Sequence, residues 1–162
     1  MLKGNFSATA IGSYPHNNVD DACDLILKTL PEIPCWPQLP ERDMNEEMLV
    51  QYTEGLPFLK IDPVKKSVYV DMPEDNTDKL EEFYNNYMSE DPGLFALSDS
   101  HALGFSNMIR LLKEKKPEGL RAIKGQIVGP ITLAGSLKDP EQIAMLHNPV
   151  LFDVIVKLLA MK

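Results

Sequence analysis

Two short stretches combine glycine, a hydroxyl and exposed main chain directly after an apolar run: "GSYPH" at residues 12–16 and "GPITLAG" at residues 129–135. Glycine lets a backbone approach a ligand closely because no Cβ stands in the way. Ser13 lies just before a segment with helix-capping residues, so its loop could hold an anion such as a carboxylate on backbone N–H groups. The same residue types also make ordinary turns, and both readings stay open at this level. Candidate ligand-facing residues are therefore Ile11, Gly12 and Ser13 in the first stretch and Gly129 and Thr132 in the second. His16 is the one histidine beside a strand end, where it lines a pocket or serves as a surface or capping residue.

Other chemistries find less support. His16, His101 and His147 show no HxH, HExxH or HxC spacing, so no metal site is assigned within these residues. Cys23 falls in an expected helix, and Cys35 sits between prolines beside Trp36 with no cation close in sequence to lower its pKa. Cys35 reads as a buried, inert thiol, and the two cysteines make no disulfide framework and no redox or zinc motif. The hydrolase elbow GxSxG, the phosphate-binding P-loop and the dinucleotide fingerprint GxGxxG are all missing from the sequence.

The elements that would position these loops are marked by thirteen prolines, most of them between patterned segments. A first strand is expected over residues 7–12, followed by a helix in "NVDDACDLILKTL" capped by Asn18, with Asp20 and Asp21 in its positive first turn. "EIPCWPQLP" can hold only a short or irregular strand, with backbone groups left partly free to border a pocket. "ERDMNEEMLVQYTEG" reads as a helix closed by Gly55. "FLKID" and "SVYVDM" read as a hairpin with Pro63 in its turn. Two further helices follow, the second with Ala102, Phe105, Ile109 and Leu112 on one side. Residues 120–128 then form the strongest strand pattern, stopping at Gly129-Pro130. "DPEQIAML" and "NPVLFDVIVKLLAMK" complete the chain as helices capped by Asp139 and Asn148. Strands alternating with helices indicate an α/β fold with a largely parallel sheet, in one domain over residues 1–162.

Composition narrows the partners. With 162 residues, 44% of them hydrophobic, the chain can bury a core without disulfides. A formal net charge of −8 argues against non-specific binding to nucleic acid or an anionic membrane. The basic cluster "LLKEKKPEGLR" reads as the solvated C-terminal end of a helix. No apolar run approaches the roughly 18 residues of a membrane span, and no signal peptide is visible, so a reducing cytoplasmic location is expected.

The two glycine loops carry a family resemblance. "TAIGSYPH" resembles the start of the catalytic C-terminal barrel of cobalamin-independent methionine synthase, where a Thr-Thr-Ile-Gly-Ser-Phe-Pro-Gln run opens the first strand. "IKGQIVGPITLAGS" resembles that family's Lys-Gly-Met-Leu-Thr-Gly-Pro-Val-Thr-Ile segment, and the order of the two agrees. Between them, "PERDMNEEMLVQYTEGL" is similar to a Pro-Glu-Arg-Asn-Asp-Met-Val-Glu-Tyr-Phe helix. The likeness spans most of residues 8–138, and "PCWPQLP" looks more like the shorter single-barrel relatives, in a superfamily with uroporphyrinogen decarboxylase and the corrinoid-dependent methyltransferases.

The resemblance implies a partial (β/α)8 barrel of the triosephosphate isomerase type, roughly its first half, with a short β-hairpin insertion. It further implies methyl transfer to a thiol, most simply homocysteine. Ile11, Gly12 and Ser13 would bind the amino-acid part, and Gln38 stands near the place of a family glutamate that holds the substrate amine. Where the family stacks a tryptophan on folate, this chain has Gly135 and Ser136, which favours a methyl-corrinoid such as methylcobalamin, or a corrinoid protein, over a folate donor. The family's zinc is bound by His, Cys, Glu and Cys from later strands, past residue 162, so the fragment alone is expected to be inactive. Two alternatives accompany this reading. One is a decarboxylase or coenzyme-M-type methyltransferase of the same superfamily. The other is a non-catalytic half-barrel that assembles with further copies of itself through open sheet edges.

Overall fold

The computed structural model describes residues 6–162 apart from Pro63 and Lys116, and these residues gather into two compact units. The first comprises residues as far as Met48 together with Ser98–Gln126; the second comprises Leu49–Leu97 with Ile127–Lys162. Among the described residues the architecture mixes five α-helices with one two-stranded antiparallel sheet.

In the first unit, α1 (Val19–Thr29) starts where Asn18 accepts hydrogen bonds from the amides of Asp20 and Asp21, at 2.8 and 3.3 Å. Those amides have no partner inside the helix, which is why a short polar side chain belongs there. Its apolar face buries Ala22, Cys23 and Ile26. The helix packs against α3 (Asp99–Lys115) through polar as well as apolar contacts. Asn107 donates to Asp20 at 3.0 Å, Arg110 pairs with Asp20 at 3.3 Å, and Lys115 pairs with Asp24 at 2.6 Å.

Three extended segments lie beside these helices. Ser13 bridges Gln38 and Cys35 bridges Lys124, both in parallel. The expected strands at residues 7–12 and 120–128, and the largely parallel sheet they imply, give way to single bridges, one at Ser13 just past the first span and one at Lys124 within the second. The reason lies in the segment between them, where Pro34 and Pro37 have no N–H to donate. What remains is an irregular set of bonds, with Arg121 and Ala122 donating to the Glu32 carbonyl and Lys124 to that of Pro34.

α3 departs from its expected face. Ala102 has non-helical angles (φ −149°, ψ 50°), and of the expected face Ala102 and Leu112 are buried, joined by Gly104, Asn107, Met108 and Leu111 in place of Phe105 and Ile109. Phe105 is 42% exposed and meets the Trp36 ring edge-on at 5.7 Å. Gly104 explains the rotation, because a Cβ there would sit 2.0 Å from the Pro37 carbonyl oxygen. The helix thus presses its bare backbone onto Pro37, with Phe105 packed beside it on Trp36.

The second unit holds the hairpin of β1 (Leu59–Asp62) and β2 (Ser67–Val70), with α2 (Thr77–Met88), α4 (Pro130–Ser136) and α5 (Pro149–Met161). The strands pair antiparallel with Leu59 opposite Val70 and Asp62 opposite Ser67. Pro63, expected in the turn, lies outside the described residues; beyond it, Asp62 accepts from the amides of Val64 and Lys65, both at 3.0 Å. α5 begins as its sequence predicts, with Asn148 accepting from Val150 and Leu151 and Pro149 in the first turn. Its apolar face joins Phe58, Phe83, Phe95, Leu133 and Met145 in one core.

Two expected helices are absent from their places. Residues 41–55 form only two 3-10 turns, Met44–Glu46 and Gln51–Thr53. Extended angles at Glu47 (φ −64°, ψ 139°) part them, and Asp43 caps the first by accepting from Asn45. Gly55 keeps a role in chain reversal: Glu54 (φ −56°, ψ 124°) and Gly55 (φ 85°) follow a type II turn closed by Leu56 N–H on Thr53 at 2.8 Å. Residues 139–146 likewise make a turn and a short 3-10 segment. Their backbone is drawn into sheet-like pairing instead, with Lys138 bridging both Tyr69 and Ala144.

Tyr52, almost fully buried in the second unit, has its phenol pushed up to about 12 by burial, from an ordinary 10.0. A raised folded-state pKa means that the neutral form is favoured on folding. Its contribution to stability is therefore whole below pH 10 and is lost as pH rises toward 12. Denaturation midpoints followed by circular dichroism should fall across pH 10 to 12, and Tyr52→Phe should make that fall shallower.

Candidate functional site

The candidate site grows from the middle segment of the first unit. Residues 34–39 are all buried, and the prolines that interrupt their hydrogen bonding also hold the backbone extended. Gln38 donates its N–H to the Gly12 carbonyl at 2.5 Å and accepts from the Tyr14 N–H at 2.9 Å. That register places the residues around Gly12 side by side with Gln38, whose side chain is 1% exposed. Ser13 is exposed, and among the described residues neither its amide nor its hydroxyl has a hydrogen-bond partner. Ile11 is 80% exposed.

Gly12 itself is buried, which corrects the expectation of bare main chain at this position. A Cβ there would lie 1.9 Å from Gln126 Nε2 and 3.0 Å from Gln38 Oε1. Any larger residue would have to push the flexible ends of Gln126 and Gln38 aside, and the room glycine leaves is taken by the Gln126 amide. That amide also donates to the Trp36 carbonyl at 3.3 Å and accepts from Lys124 Nζ at 3.0 Å. Two carboxamides, a serine and a lysine thus meet at one parallel junction. Carboxamides offer both donors and acceptors, a lysine only donors, so the set suits a small molecule carrying both an ammonium and a carboxylate.

The surroundings are poor in acid–base groups. Burial pushes the Tyr14 phenol up to about 12, and its contact with the Cys35 sulfur at 3.7 Å adds to the shift. Burial likewise raises the Cys23 thiol to about 11, so it stays protonated at neutral pH. His16 is part-buried with its ring 6.1 Å from that of Tyr14, and its buried Nδ1 has no hydrogen-bond partner among the described residues. Among the described residues no group of three or more His, Cys, Asp or Glu side chains could hold a metal ion. The zinc implied by the resemblance therefore has no fitting donor set in these residues.

Gly129 and Thr132 belong to the second unit, whereas Ile11, Gly12, Ser13, His16 and Gln38 belong to the first. Gly129 precedes the first residue of α4 with open space where a Cβ would stand, and Thr132 is exposed. A cavity of about 610 Å3 in the second unit is lined by Asp71, Asp139 and Glu141 with Val70, Met145 and Leu151, and includes none of the residues singled out from the sequence. Lys124, Gln126, Tyr14 and Glu46 were not singled out either. For the first two a signal existed: an i, i+2 spacing on an expected strand puts both side chains on one face. No protein-family model matches the chain, and no curated protein or solved structure is significantly similar to it.

Proposed function

We propose that this chain forms the amino-acid-binding part of a methyltransferase of the methionine synthase type, which moves a methyl group to the thiol of homocysteine from a methyl-corrinoid donor. The observation that carries the reading is the parallel junction of Ser13 with Gln38. It sets the Ile-Gly-Ser run beside the one polar side chain that the resemblance assigns to the substrate amine. Ser13 would donate to the substrate carboxylate, and the Gln38 carbonyl oxygen would accept from the ammonium. Parallel bridges joining the first, second and third extended segments, with α1 and α3 in the connections, support a (β/α) barrel as the setting. His16 and Tyr14 would form the wall next to the amino-acid site.

Calorimetric titration of the chain with L-homocysteine under reducing conditions tests the binding half of this reading. Gly12→Val should weaken binding by about tenfold or more, the loss of one charge-assisted hydrogen bond, because its side chain displaces Gln126 and crowds Gln38. Equal affinity for the two proteins would count against the reading. Incubation with methylcobalamin and a panel of thiols addresses the acceptor.

A further inference from the structure

Lys124 differs both from the ion-paired cations of the first unit and from Lys28 and Lys113, which are exposed. In the first unit Arg42 pairs with Glu46, Arg110 with Asp20 and Glu114, Lys115 with Asp24, and Arg121 with Glu32. Lys124 is part-buried, yet among the described residues its ammonium meets no carboxylate; its side-chain partner is the neutral Gln126 amide oxygen at 3.0 Å. In a chain of net charge −8, a sheltered cation left with an amide is a site short of an anion.

We infer that Lys124 is the specificity-determining residue of the junction, supplying the counter-ion for the carboxylate of a small amino-acid ligand, with Gln126 as the group that yields its place. The inference rests on the amino-acid-binding reading above and adds the residue that would select acids over plain amines. The Gln126 side chain spans the space between Lys124 and Gly12, held by Lys124 at one end of its amide and the Trp36 carbonyl at the other. Both contacts are made by one flexible side chain, so rotation about its own bonds uncovers Gly12 and frees Lys124 together. A carboxylate oxygen then replaces Gln126 Oε1 on the ammonium. Both bonds are charge-assisted by the ammonium, and the carboxylate adds the attraction between two opposite full charges. Ser13, the residue after Gly12, is the donor assigned to the second carboxylate oxygen.

The test compares two ligands that differ only in the carboxylate: L-homocysteine and its decarboxylated counterpart, 3-aminopropane-1-thiol. Nuclear magnetic resonance titration of the 162-residue chain reads both, including weak binding. The wild-type chain should prefer homocysteine by about tenfold or more. Lys124→Met should lower homocysteine affinity by a similar factor while leaving the aminothiol within about twofold, and Lys124→Arg should restore most of the loss. Homocysteine affinity unchanged in Lys124→Met, or an equal drop for both ligands, overturns the role of Lys124 and leaves the amino-acid reading standing. A wild-type chain that binds neither ligand overturns the amino-acid reading, and the role of Lys124 falls with it. Should Lys124→Met lose the wild-type circular dichroism spectrum, Lys124→Gln takes its place under the same criteria.

Discussion

Replacing Gly104 with alanine should destabilise the first unit by about 3 kcal/mol, and replacing it with valine by more. An added Cβ would lie 2.0 Å from the Pro37 carbonyl oxygen, 2.9 Å from its Cγ and 3.0 Å from its carbonyl carbon. None of these is the far end of a flexible side chain, so either α3 or the proline-rich segment must move as a body. The segment is pinned on both sides, by Gly12 and Tyr14 through Gln38 and by Lys124 through Pro34. Trp36 is the only tryptophan and packs edge-on against Phe105 of α3, so its fluorescence reports this contact directly. The midpoint of its denaturant transition should fall for Gly104→Ala and fall further for Gly104→Val. A midpoint unchanged in both would mean that α3 does not approach Pro37 as described.

The second large effect is expected at Glu46, a carboxylate with no exposed surface. One oxygen accepts from the Leu39 N–H at 2.9 Å; the other accepts from the Leu103 N–H at 3.2 Å and from the guanidinium of Arg42. Burying a charge is costly unless every lone pair finds a donor, and here the donors come from two elements that must be held together. Leu39 follows Gln38, and Leu103 follows the kinked residue Ala102 of α3. Glu46→Ala removes the acceptor for two buried amides and a cation at once, a loss of about 3–5 kcal/mol. Glu46→Gln keeps one acceptor oxygen but turns a donor toward a donor, and about 1–3 kcal/mol should go. The same fluorescence transition orders the three proteins. If alanine and glutamine cost alike and less than about 1 kcal/mol, the carboxylate is not the link described.

What could be read in the sequence divides along physical lines. α1 and α5 were legible because their start signals, Asn18 with Asp20 and Asp21, and Asn148 with Pro149, act within one turn and depend on nothing distant. The hairpin was legible for the same reason, since its register follows from local alternation. The helix expected over residues 41–55 was not, because Glu46 is a good helix former whose side chain is claimed by Leu39, Arg42 and Leu103. Residues 139–146 failed similarly, because Ala144 pairs back onto Lys138, which itself bridges Tyr69 of β2, a register that no window along the chain reveals. At the candidate site, Gly12, Ser13 and Gln38 are neighbours; Gly12 and Ser13 were singled out by their residue types and Gln38 only by the resemblance. Gln126 was not, because the reason glycine stands at position 12 is a side chain more than a hundred residues away in sequence.

The two compact units are threaded through one another along the chain, each made of two stretches separated by part of the other. During synthesis at about 5–20 residues per second, the segment around Trp36 must therefore wait several seconds for α3 and residues 121–126 to emerge. Neither unit can be obtained by a single truncation. Expressing one alone requires excising an internal stretch and rejoining the ends, and a ribosome-stalled chain shorter than about 126 residues carries an incomplete first unit to any chaperone it meets.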